Sequence, residues 1–163
     1  MLVAVFLLLL VPVFGTVGAS GAETDAVVYL NGASGSDSNN GKTTATPVAT
    51  LYKAISVANT FSGADKVTVV VTGVTAFGDS RDYILPANSS PITVTSVYGG
   101  TDYRKSGASF YTYSSNISTV YFNGPFTFEN VKFNITTTNS IFAMQYNNFT
   151  IGEVVETVGA DPA

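Results

Sequence analysis

The sequence predicts an all-β chain carrying one short helix near its start. Charged residues make up only 11% of the 163, while β-branched, aromatic, Gly, Asn, Ser and Thr residues dominate after residue 60. That composition favours strands and turns over helices. Short apolar stretches bounded by turn residues recur from Val67 to Ile151, as expected of many short strands. A third observation is the opening: one apolar strand, a long polar loop, and a short amphipathic stretch before any other strand signal.

Residues 1–22 stand apart from the rest. They carry no charged side chain, and Leu2 to Phe14 is an apolar run interrupted only by Pro12. Val17-Gly18-Ala19 and Ser20-Gly21-Ala22 then offer the small residues a signal peptidase reads, so 1–22 is expected to be a secretory signal peptide cleaved after Ala19 or Ala22. No Lys or Arg precedes the apolar run, a departure from the usual pattern. The run is shorter than the roughly 18 residues of a spanning helix, which argues against an uncleaved anchor. The folded unit is expected over residues 23–163.

Val27-Val28-Tyr29-Leu30 reads as the first strand. Residues 31–47 are almost all Gly, Ser, Asn, Thr and Ala, the chemistry of a loop whose Asn and Asp side chains close their own turns. Thr50 stands where an N-cap belongs, and Leu51, Ala54, Ile55 and Ala58 recur at helical spacing until Ser62-Gly63. A helix over 51–58 with so narrow an apolar stripe covers something and does not form a core alone.

Strands follow at Val67–Val71, Tyr83–Leu85, Ile92–Ser96 and Ser109–Tyr113. Phe126 to Ile135 places Phe126 and Phe128, then Val131, Phe133 and Ile135, on the inward side, so the parity shift at Glu129-Asn130 predicts a bend between two strands. Ile141–Ala143 and Phe149–Ile151 close the series. The spacing suggests coils of roughly twenty residues, each with two or three strands. A β-sandwich gives comparable spacing.

The block Gly35-Ser36-Asp37-Ser38-Asn39-Asn40-Gly41 with Thr46-Pro47 and the helix Leu51 to Ile55, preceded by a strand, resembles the opening of pectate-lyase-like right-handed parallel β-helices. Phe126-Thr127-Phe128-Glu129-Asn130-Val131-Lys132-Phe133 is similar to the rungs of secreted β-helix proteins. The resemblance implies a partial right-handed parallel β-helix, comprising N-terminal coils under a short capping helix. It also implies further coils beyond residue 163, where the chain looks truncated.

Several function classes are excluded by composition. With no His and no Cys, there is no imidazole base, thiol nucleophile, disulfide or zinc site. Seven Lys and Arg and a net charge of −4 give no footprint for nucleic acid. Cysteine-free export fits a bacterial secreted or surface protein.

The remaining polar clusters read as structural. Asp37, Asn39 and Asn40 lack the spacing and the Glu of an EF-hand and fit an Asx-turn loop. Asp79, Arg81 and Asp82 fit a charged surface loop, and Arg104-Lys105 a solvated turn. Lyases of the resembled family place acidic calcium ligands and an Arg or Lys base along adjacent coils, an arrangement these residues do not reproduce. Between residues 103 and 152 the only carboxylate is Glu129, so no acid–base pair assembles there. Thirteen Tyr and Phe lie from Tyr98 to Phe149. Most fit core positions, with Tyr111, Tyr113 and Tyr121 least committed to it. The sequons at Asn88, Asn116, Asn134 and Asn148 are read as unmodified.

No catalytic, cofactor-binding or metal-binding residue is therefore assigned. The expected role is an exported cell-surface or secreted scaffold, structural, adhesive or glycan-contacting, with extracellular polysaccharide or cell-wall material as partner. The alternative is the N-terminal part of a β-helix polysaccharide lyase or glycoside hydrolase whose catalytic coils lie beyond residue 163.

Overall fold

The computed structural model describes residues 26–78, 82–111, 119–135, 142–144, 149–151 and 154–158. The expected signal peptide, Asp79, Arg81, Tyr113, Asn116, Asn148 and the last five residues lie outside the described residues. Strand β1 (Ala26–Leu30) leads through a polar loop to helix α1 (Leu51–Ala58). Then come β2 (Val67–Val71), β3 (Val74–Ala76), β4 (Asp82–Ile84) and β5 (Ile92–Thr95). A hairpin of β6 (Val97–Tyr98) and β7 (Thr101–Asp102) interrupts the series and runs into a 3-10 turn at Tyr103–Ser106. Strands β8 (Ser109–Tyr111), β9 (Thr119–Phe122), β10 (Phe126–Glu129), β11 (Val131–Ile135), β12 (Phe142–Met144), β13 (Phe149–Ile151) and β14 (Val154–Val158) complete it.

The protein is mostly β, and its three larger sheets are parallel. The first sheet has the order β1-β2-β5-β10-β13, the second β3-β8-β11-β14 and the third β4-β9-β12. Along the chain, strands of the first, second and third sheets therefore recur in that order. Register aligns residues of like character: Ala26, Val67, Ile92, Phe126 and Phe149 share one column, and Val28, Val69, Val94, Phe128 and Ile151 the next but one. The repeats run Val67 to Ile92, Ile92 to Phe126 and Phe126 to Phe149, all longer than the twenty residues the pattern suggests. The β6–β7 hairpin lengthens the middle one. Its Gly99 and Gly100 have φ of 57° and 78°, the paired positive angles that a two-residue hairpin turn requires.

Phenylalanines fill the space between the sheets. Phe77, next to β3, lies 5.1 Å from the Phe110 ring, 5.2 Å from Phe133, 6.0 Å from Phe128 and 6.1 Å from Phe122. Phe122 of the third sheet meets Phe128 of the first at 5.6 Å, nearly edge-on, a geometry that ring quadrupoles favour. All five are buried, so one core joins the three sheets. The bend expected at Glu129-Asn130 is present: Asn130 adopts φ 54° between β10 and β11, a left-handed position that Asn tolerates.

Helix α1 closes one side of this core. Thr50 is its N-cap, its hydroxyl accepting from the Lys53 amide at 3.1 Å. Leu51, Ala54, Ile55 and Ala58 are buried, the residues the spacing predicts, against β1 and β2. The helix spans eight residues, about two turns. Its loop also covers the outer edge of β1: the Tyr29 amide donates to Gly41 O (2.7 Å), Val48 N to Tyr29 O (2.9 Å) and Asn31 N to Val48 O (2.9 Å). Unpaired strand edges invite further pairing, and here the loop occupies that edge. No helix among the described residues is long and apolar enough to cross a membrane.

Candidate functional site

Among the described residues, the outer surface of the second sheet carries a shallow depression. Strand alternation puts Thr75, Phe110 and Phe133 in one inward column. Their neighbours Ala76, Tyr111 and Asn134 form a register column on the opposite side, all half-buried. Beside β3 and Tyr111 the polar loop and the start of α1 raise a wall. The Gly32 amide donates to Thr75 Oγ1 at 2.9 Å. A Cβ on Gly32 would stand 2.8 Å from the Thr75 Cα, so the loop reaches the strand this closely only with glycine there.

Between wall and sheet lies a shallow depression of about 350 Å³, lined by Gly32, Ala33, Ala49, Thr50, Val74, Ala76 and Tyr111. None of these residues is an Asp, Glu, Lys, Arg or His, and Val74 is 44% exposed. Small residues leave the floor low enough for a flat ligand, and the tyrosine supplies an aromatic body with a polar tip. Such a surface suits contact with the apolar face of a sugar ring.

Asp37 holds the wall in place. One carboxylate oxygen accepts from Ala49 N (2.9 Å) and Thr50 N (3.0 Å), and the other accepts from Thr50 Oγ1 (2.8 Å). Asn39 Nδ2 donates to Pro47 O (2.8 Å), and Asn40 Oδ1 accepts from Lys42 N (3.0 Å). The cluster works as an Asx-type brace, with its oxygens turned to the protein's own donors. Among the described residues no three His, Cys, Asp or Glu side chains come together as a metal would require.

The other candidates are dispersed. Tyr121 is half-buried on β9 of the third sheet, in register with Ile84, which is 59% exposed. The structure thus puts Tyr111 and Tyr121 on different sheets. Glu129 is exposed at the end of β10. Asp82 begins β4 and does not belong to the preceding loop. Arg104 is not a merely solvated residue: its Nε and Nη2 donate to Asp102 at 2.9 and 3.0 Å. This fork, with the Arg104 backbone amide, holds the Asp102 carboxyl below its usual range despite partial desolvation.

Two sequons fall on described residues. Asn88 is buried, and its Nδ2 donates to Ser90 O (3.0 Å) and Pro125 O (3.1 Å). Asn134 Nδ2 donates to Ser109 Oγ at 3.2 Å. Both amides thus reach across to segments distant in the chain, Asn88 to Pro125 and Asn134 to Ser109. Comparison of the chain with protein-family models, curated proteins and solved structures finds no match among them.

Proposed function

We propose that the chain is a right-handed parallel β-helix scaffold, exported to the cell surface or secreted, with a structural, adhesive or glycan-contacting role. The observation that carries this reading is the recurrence of first-, second- and third-sheet strands around one phenylalanine core. A sandwich of two antiparallel sheets has neither this order nor parallel pairing. Right-handedness rests on the strong preference of parallel crossovers for that hand.

Stacked coils present long, regular outer faces. The depression beside Tyr111 gives one of them an uncharged aromatic contact, and extracellular polysaccharide or cell-wall material is the partner it fits. Export is supported by the apolar, charge-free run at residues 1–22. Among the described residues no acid–base constellation joins this face, and the role proposed for it is contact.

Retention of purified chain on cellulose, chitin, xylan and isolated cell wall tests the reading. Specific retention on at least one polymer is expected, weakened at least fivefold by Tyr111→Ala without loss of fold. Absence of retention on every polymer, or retention indifferent to Tyr111, would overturn the glycan-contacting role. Sedimentation and circular dichroism of the variant separate loss of contact from unfolding.

A further inference from the structure

A second concavity lies away from the Tyr111 face, where the end of α1 meets the turn between β4 and β5. It encloses about 240 Å³ and is bounded by Asn59, Phe61, Ser62, Ser89, Ser90 and Ile92, with Ala58 and Val67 below. Its framework is preformed: Asn59 Nδ2 donates to Ala87 O at 2.8 Å and ties the helix end to the turn. Asn88 fixes the turn from the other side through Ser90 O and Pro125 O.

We infer that this concavity binds a single neutral pyranose ring. Three observations converge on that chemistry. No lining side chain is ionisable, so nothing in the wall rewards a charged ligand. The lower wall, formed by the buried Ala58, Val67 and Ile92 with the half-buried Phe61, is apolar. The rim carries the hydroxyls of Ser62, Ser89 and Ser90, none of which hydrogen-bonds within the described residues. A ligand with an apolar face and a hydroxylated edge satisfies both surfaces, and a pyranose has that character. At about 30 Å³ per water the space holds about eight waters, enough for one ring. It is also smaller than the roughly 300 Å³ at which pockets for drug-sized ligands begin.

The inference concerns a site separate from the polymer face, and its test uses free monosaccharides. Uniformly ¹⁵N-labelled chain is titrated with glucose, galactose and mannose, and with glucuronate as the charged comparison. Amide shifts of Phe61, Ser62, Gly63, Ser90 and Ile92 are the readout. Saturable shifts are expected with at least one neutral hexose in the millimolar range, and weaker binding of glucuronate. Ser89→Ala/Ser90→Ala should weaken the hexose at least tenfold with the remaining spectrum unchanged, and Ser62→Trp, which fills the mouth, should abolish the shifts. Absence of saturable shifts with all three hexoses, or equal affinity in the double variant, overturns the inference. Either failure leaves the polymer-retention result standing.

Discussion

Replacing Phe77 tests whether the three sheets share one core. The ring is 1% exposed and touches the rings of Phe110, Phe122, Phe128 and Phe133. Truncating a buried Phe to Ala costs about 3–5 kcal/mol through lost transfer energy and the cavity left behind. Ring pairs add about 0.5–1.5 kcal/mol each beyond area, which overlaps part of that cost and places Phe77→Ala near the upper end. A domain of this size has about 5–15 kcal/mol in all, so Phe77→Ala should sit close to unfolding. Phe77→Leu keeps most of the volume and should cost about 1–2 kcal/mol. Urea unfolding followed by tyrosine fluorescence measures both, with an unchanged m value as the check that the unfolded state is the same. A double-mutant cycle of Phe77→Leu with Phe128→Leu should then give a coupling of about 0.5–1 kcal/mol, because these rings bridge the second and first sheets. A Phe77→Ala penalty below about 1.5 kcal/mol, or strictly additive losses in the cycle, would refute the single core.

Three further outcomes are expected. Ile55→Asp buries an unpaired carboxylate under α1 and should cost several kcal/mol; a melting curve like the parent's would mean the helix does not cover the core. Asp37→Ala removes an acceptor shared by three donors and should cost about 1–3 kcal/mol, while Asp37→Asn, which keeps one oxygen for Ala49 N and Thr50 N, should cost less in the same unfolding assay. The Asp102 carboxyl is held below its unfolded value near 3.8 by Arg104, so its contribution is full above that value and is lost as pH falls through the lower folded one. NMR titration of the hairpin between pH 2 and 5 should show that midpoint below 3.8, and Asp102→Asn should remove the dependence.

Strong periodicity made part of the fold legible. β1, α1, β2 and β5 follow from alternation or helical spacing, and the parity shift at Glu129-Asn130 marks the left-handed Asn130. The short strands β3 and β9 and the β6–β7 hairpin escape the pattern, because two to four residues carry too few positions to define a period, and β14 continues the series past Phe149–Ile151, where the apolar spacing is expected to close it. Gly99-Gly100 is the signal that could have found the hairpin. The Tyr111 depression was legible only as one uncommitted tyrosine. Its wall comes from residues 32–33 and 49–50 and its floor from Val74, Ala76 and Tyr111, an assembly that pairing of β3 with β8 creates and no spacing records. The Arg104 fork was missed since Asp102 lies two residues away, across a strand end whose turn geometry decides whether the two side chains meet.

The loop that seals the β1 edge also bears on the order of assembly. Its bonds from Tyr29 to Gly41 and from Asn31 to Val48 span short stretches of chain, whereas β1 meets β2 only across the Leu30–Val71 separation. Shorter loops close at lower entropic cost, and local contacts form sooner than distant ones. On a ribosome, residues 26–58 emerge before β2 does, so the brace around Asp37 and the helix can organise a seed while the rest is still being made. Each later strand would then add to an existing edge, extending that seed in one direction.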